Sequence, residues 1–129
     1  MPLTGHRILL VEDEFLIALE VERTLQAAHG EVVGRAANVA RAMKLADTPN
    51  LSAAILDFRL QFGNSFPVAS KLRADGVPFI FYTATAIPEL PAAWPGVPIV
   101  MKPASPVRLV SVLVSLVKLS RPVDRSRVA

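Results

Sequence analysis

The sequence predicts an α/β fold, a doubly wound five-stranded parallel sheet with helices on both faces. Three observations lead there. Five short apolar runs recur along the chain: RILLV at 7–11, EVVGRA at 31–36, SAAILD at 52–57, PFIFY at 78–82 and PIVM at 98–101. Their near-continuous apolar character is that of strands buried on both faces, not of strands with one wet side. Amphipathic stretches at helical spacing separate them, and strands alternating with helices imply parallel pairing. A length of 129 residues, 52% of them hydrophobic, suits one domain able to bury a substantial core.

The elements follow in order. After strand one, Ile17, Leu19, Val21, Leu25 and Ala28 mark a helix between Glu14 and His29, with Gly30 as its stop. After strand two, Asn38 caps a helix carrying Val39, Ala42, Met43, Leu45 and Ala46, which ends before Pro49. A loop through Gly63 and Asn64 leads to a third helix around 66–75, closed by Gly76. Between Thr85 and Pro98 stand Pro88, Pro91 and Pro95, so the fourth helix should be short, irregular or missing. Ser105 and Pro106 open the last helix as cap and first turn. The expected order is 2-1-3-4-5, the flavodoxin-like arrangement, in a domain spanning residues 1–120. Residues 121–129 form a basic tail, with Arg121, Arg125 and Arg127 against Asp124, read as a solvated, disordered end.

Composition excludes several classes. There is no cysteine, hence no disulfide framework, thiolate metal site or Cys nucleophile. No signal peptide and no membrane-length apolar stretch is visible, which points to a cytoplasmic protein without a membrane partner. The net charge of +3 includes the basic tail, which could touch nucleic acid or an acidic partner but reads as a solvated end, and no nucleic-acid partner is expected.

Chemistry gathers at the strand ends. Strand one ends in Glu12-Asp13-Glu14, strand three in Asp57, strand four in Thr83 and strand five in Lys102-Pro103. Strand two, an outer strand, ends in Ala36-Ala37 and offers nothing. In an open parallel sheet the carboxyl ends of the strands share one crevice. Crowded carboxylates repel, which raises the pKa of at least one unless a cation sits among them. The acids could simply favour a helix N-terminus, a role that fits Glu14 best. Glu12, Asp13 and Asp57 together make an oxygen-rich site suited to Mg²⁺, which draws in a phosphoryl group that the bare acids would repel. Asp57 is then the nucleophile, forming an aspartyl phosphate, with Lys102 supplying a point charge and Thr83 a hydroxyl to the phosphoryl oxygens. His6 and His29 lack ligand partners and read as surface, Trp94 as an anchor for the irregular segment, and Met43 and Met101 as core.

Taken in order, Glu12-Asp13, Asp57, Thr83-Ala84 and Lys102-Pro103 resemble the response-regulator receiver domain over residues 6 to about 119. The stretch SFPVASKLRADGVPFIFYTAT is similar to single-domain receivers of alphaproteobacteria with a Phe-Ala-Thr-Gly-hydrophobic-Tyr pattern. The resemblance implies a two-component phosphorelay in which Asp57 accepts phosphate from a histidine kinase or histidine phosphotransferase. It also implies Mg²⁺ bound by Asp13, Asp57 and the Arg59 carbonyl with help from Glu12, and no catalysis beyond the domain's own phosphorylation and dephosphorylation. No residues remain for an output domain, so the expectation is a stand-alone switch or phosphate sink. The chain departs from the family pattern at Ala84, Ile99 and Ala104, where glycine or aromatic residues are usual. Those departures recommend an alternative, a phosphorylation-independent interaction module on the same fold. An FMN carrier would need a phosphate-cradling loop where this chain has three acids, and no P-loop is present.

The last helix gives a separate signal. Arg108, Ser111, Ser115 and Lys118 form one polar stripe, and nine apolar residues between Val107 and Leu119 cover most of the rest. So wide an arc exceeds what one sheet face can cover, and it predicts a homodimer or partner docking through the 105–119 helix.

Overall fold

The computed structural model describes residues 2–119, so the 121–129 tail lies outside the described residues. The strands of the main sheet are β1 (Arg7–Val11), β2 (Glu31–Ala36), β3 (Ala53–Leu56), β6 (Phe79–Thr83) and β7 (Ile99–Met101). They pair in parallel in the order β2-β1-β3-β6-β7, which is the expected order once two short strands in the third connection are numbered. Those two, β4 (Arg59–Leu60) and β5 (Gly63–Asn64), form an antiparallel hairpin where the sequence predicts a loop. The helices are α1 (Phe15–Ala27), α2 (Val39–Leu45), α3 (Phe66–Ala74), α4 (Leu90–Ala93) and α5 (Pro106–Leu119). The proline-rich segment leaves α4 only four residues long.

Alternation within the strands builds two cores. Leu9, Val11, Ala54, Leu56, Phe79 and Phe81 face α2, α3 and α4. Ile8, Leu10, Ile55, Ile80, Tyr82 and Val100 face α1 and α5. Because both faces are covered, no polar alternation survives in the central strands. At roughly 1.5–3 kcal/mol for each large side chain buried, these layers dominate the fold's stability. Gly34 lets α2 approach β2 closely, since a Cβ there would lie 2.8 Å from Leu45 Cδ1.

Helix ends follow local chemistry. The Asn38 side chain accepts from Arg41 N–H at 2.8 Å, the expected cap. At the end of α3, Gly76 takes φ 72° and donates to Arg73, while Val77 N–H reaches Leu72 O at 2.8 Å. This is the paired closure that glycine favours. The end of α1 makes the same closure, but His29, not Gly30, is the left-handed residue, at φ 67°. Gly30 is needed for space instead: its added Cβ would meet Leu25 O and Leu3 Cβ at 3.2 Å. Met101 also departs from expectation. It is 43% exposed, because it ends edge strand β7 where the sheet face is no longer covered.

Candidate functional site

The sheet ladder itself carries the site residues into place. Glu12 N–H donates to Ala36 O, Asp57 N–H to Val11 O, and Lys102 N–H to Thr83 O, at 2.8–2.9 Å. Each residue thus continues a strand by one ladder bond before its chain turns away, so three side chains emerge at one end of the sheet.

They meet there. The Lys102 ammonium donates to both Glu12 oxygens, at 2.7 and 2.9 Å, and to Asp57 Oδ2 at 3.0 Å. The side chains are 3%, 8% and 12% exposed for Glu12, Lys102 and Asp57, so one ammonium serves two carboxyl groups with little water. Carboxylate oxygens of Glu12, Asp13 and Asp57 lie within 4.8 Å of one another. Burial, then hydrogen bonding to Asp57, pushes the Glu12 carboxyl from 4.5 up to about 8 against the opposing pull of Lys102. Burial pulls Lys102 down, but its contacts with Glu12 and Asp57 outweigh that and raise it above the ordinary lysine value. For Glu12, loss of hydration is a larger cause than repulsion.

The other site residues are placed differently. Thr83 ends β6 and is 2% exposed, but its hydroxyl donates to Thr85 O at 3.2 Å and accepts from Thr85 N–H at 3.4 Å. It closes a turn onto its own chain. Arg59 is exposed on β4, opposite Asn64 in β5.

Sequence reasoning passed over two residues. Ser65 is fully buried, and although it precedes α3 it makes no capping bond. Its hydroxyl donates to Asp57 O at 2.8 Å, while Asn64 Oδ1 accepts from Phe66 N–H instead. A polar pair, Asn64-Ser65, where one cap would suffice was the available signal. Tyr82, buried in β6, accepts from Ala104 N–H at 3.1 Å, and its ring lies 5.6 Å from the Lys102 ammonium. A tyrosine in an otherwise apolar strand was the clue.

An aromatic cluster runs from beside Asp57 to the fourth connection. Phe58 meets Phe66 at 5.0 Å and Phe81 at 5.8 Å, and Phe66 and Phe81 meet Trp94 at 5.5 and 6.1 Å. Trp94 and Leu90, 7% and 1% exposed, pin the proline-rich segment to the domain. Among the described residues no helix is long and apolar enough to cross a membrane.

No protein-family model matches the chain, and no curated protein matches it. Solved structures do. SdrG from Sphingomonas melonis Fr1 is 33% identical, with a TM-score of 0.73 over 89% of this chain and 98% of its own. The non-phosphorylated HemR receiver domain from Leptospira biflexa is 27% identical, with a TM-score of 0.80 over 92% and 99%. The receiver domain of the sensor histidine kinase PA1611 from Pseudomonas aeruginosa PAO1, solved with a magnesium ion coordinated in the active-site cleft, is 24% identical with a TM-score of 0.77 over 89% and 99%. With the strand order, the carboxylate cluster and the lysine all at one end of the sheet, this chain belongs to the response-regulator receiver family.

Proposed function

We propose that the chain is a phosphoacceptor in a two-component phosphorelay, taking a phosphoryl group onto Asp57 from the phosphohistidine of a histidine kinase or phosphotransferase. The observation that carries this reading is the single buried ammonium shared by Glu12 and Asp57 at the meeting of three strand ends. Lys102 engages Asp57 through Oδ2. An Asp57 carboxylate oxygen is the nucleophile: its bond to phosphorus forms as the phosphorus–nitrogen bond of the donor breaks. Lys102 then turns from Asp57 to a phosphoryl oxygen, and Thr83 reaches another only by giving up its turn with Thr85.

The donor set suits Mg²⁺. It is oxygen-only, carboxylate-rich and partly open through Asp13, and the relative from Pseudomonas aeruginosa holds that ion in its cleft. Glu12, Asp13 and Asp57 would hold it together with the Arg59 carbonyl. Bound there, the ion would draw charge from the phosphoryl oxygens.

The partner surface fits the same reading. Phe15, Leu16 and Val107, 63–80% exposed, begin the helices that leave the strand ends bearing Glu12 and Lys102, and Phe62 tips the hairpin after Asp57. An open groove of about 920 Å³ between α1 and α5 continues from them, lined by Leu16, Leu19, Val107, Val110 and Val114. The decisive experiment is incubation with acetyl phosphate and Mg²⁺ followed by intact mass. A gain of one phosphoryl group that disappears in Asp57→Ala is expected; no gain in the folded wild-type protein would overturn the reading.

A further inference from the structure

We infer that Tyr82 is a positioning residue that holds Lys102 over the two carboxylates. Its consequence for phosphoryl transfer rests on the function proposed above. Lys102 is followed by Pro103 and Ala104, and α5 begins only at Pro106, so the lysine sits on a connection outside regular structure. One side chain, Tyr82, touches both the lysine and the connection that follows it. The Tyr82 hydroxyl accepts from Ala104 N–H at 3.1 Å, and the face of its ring lies 5.6 Å from the Lys102 ammonium. A cation at that distance from an aromatic face is held electrostatically, more strongly where water is scarce.

The backbone reinforces the arrangement. Tyr82 pairs with Val100 in the sheet register, and the next residue, Thr83, accepts from Lys102 N–H through its carbonyl. The tyrosine is 7% exposed and packs among the residues facing α1 and α5, so its ring cannot swing freely. The ammonium is therefore held by the two carboxyl groups and the ring, on a connection that the Tyr82 hydroxyl bonds. Lysine is a flexible four-carbon stem with a point charge at its end, and it gains more from such fixing than a planar guanidinium would.

Tyr82→Phe removes only the acceptor for Ala104 N–H, and Tyr82→Leu removes the ring as well. Phosphorylation by acetyl phosphate with Mg²⁺ is followed in wild type, Tyr82→Phe, Lys102→Ala and the double variant, each checked for a cooperative melt. The expected result is a maximal rate about tenfold lower in Tyr82→Phe, the equivalent of one lost hydrogen bond, with the half-saturating donor concentration unchanged. In the Lys102→Ala background the same change should cost less than about twofold, because the two residues act as one unit. Equal losses in both backgrounds, or no loss in either, would overturn the inference. An independent arm reads the Lys102 Cε proton shifts by NMR. Ring-current displacement kept in Tyr82→Phe and lost in Tyr82→Leu supports the assignment, and shifts indifferent to Tyr82 refute it. If wild type shows no Asp57-dependent phosphorylation, the functional reading fails by itself and the NMR arm still decides the role of Tyr82.

Discussion

Replacing Glu12 with glutamine should remove a pH dependence of stability that the wild-type protein carries. The Glu12 carboxyl is 3% exposed and sits at about 8 in the folded chain against 4.5 for an ordinary glutamate. A carboxyl that titrates higher when folded binds more protons in the folded than in the unfolded state between those two values. Its stabilising protonation is complete below pH 4.5 and is lost as pH rises through about 8. At 1.36 kcal/mol per unit, the whole displacement corresponds to at most about 5 kcal/mol, a large part of a small domain's stability of roughly 5–15 kcal/mol. Lys102 stays charged throughout, since its own value lies above the ordinary one, and contributes no slope there. Glu12→Gln keeps the shape and abolishes this titration; other groups that titrate in the window are common to both proteins and cancel in the difference. Urea unfolding in EDTA, followed by the fluorescence of the only tryptophan, should show the wild-type midpoint falling between pH 5 and 8 relative to that of the variant. Mg²⁺ added at pH 8 should restore stability to wild type by mass action, because the cation binds the folded carboxylates. A difference between wild type and Glu12→Gln that stays flat from pH 5 to 8 would refute the reasoning.

Two further outcomes are expected. Beryllofluoride with Mg²⁺ should change Trp94 fluorescence and amide exchange between Thr85 and Val97, and Thr83→Ala should blunt both; changes confined to 57–65 would place the switch elsewhere. Val107→Lys, at a side chain 80% exposed, should alter stability by less than about 0.5 kcal/mol and leave acetyl-phosphate labelling intact, while slowing transfer from a phosphohistidine-bearing partner about tenfold; equal rates from that partner would remove α5 from the docking surface.

The parts of this fold legible in the sequence are those that local physics alone determines. Strand ends could be read because an apolar run buried on both faces must stop where a charge appears, and Glu12, Asp57 and Lys102 each stand just past such a run. The Asn38 cap and the Gly76 closure depend on one residue's own chemistry and followed directly. The hairpin of β4 and β5 did not, because two-residue strands carry no periodicity. His29 as the left-handed residue was hidden by Gly30 beside it, since glycine serves equally for conformation and for space. Ser65 and Tyr82 bond to positions far along the chain or across the sheet, and spacing holds no record of such partners.

The aromatic cluster bears on how phosphorylation, under the proposed function, would reach the surface. Position 99, where receivers often carry an aromatic switch residue, is isoleucine, half-buried against the core. The aromatic link lies elsewhere: Phe58 adjoins Asp57 in the chain, and through Phe66 and Phe81 it is two ring contacts from Trp94. Trp94 in turn anchors a segment that three prolines keep short of a stable helix, and among the described residues its buried indole N–H has no partner. An unpaired buried donor costs roughly 1–3 kcal/mol, so the anchored state of this segment is held below the stability its packing would otherwise give. Thr83, bonded to Thr85, starts the same segment from its other end. A charge-assisted bond from Thr83 to a phosphoryl oxygen is worth about 1.5–3 kcal/mol, comparable with the cost at Trp94 and small against the two packed cores. Under the proposed function, phosphorylation would act on residues 85–97, which Thr83 opens, before it could rearrange the sheet, and the switch is expected in that connection.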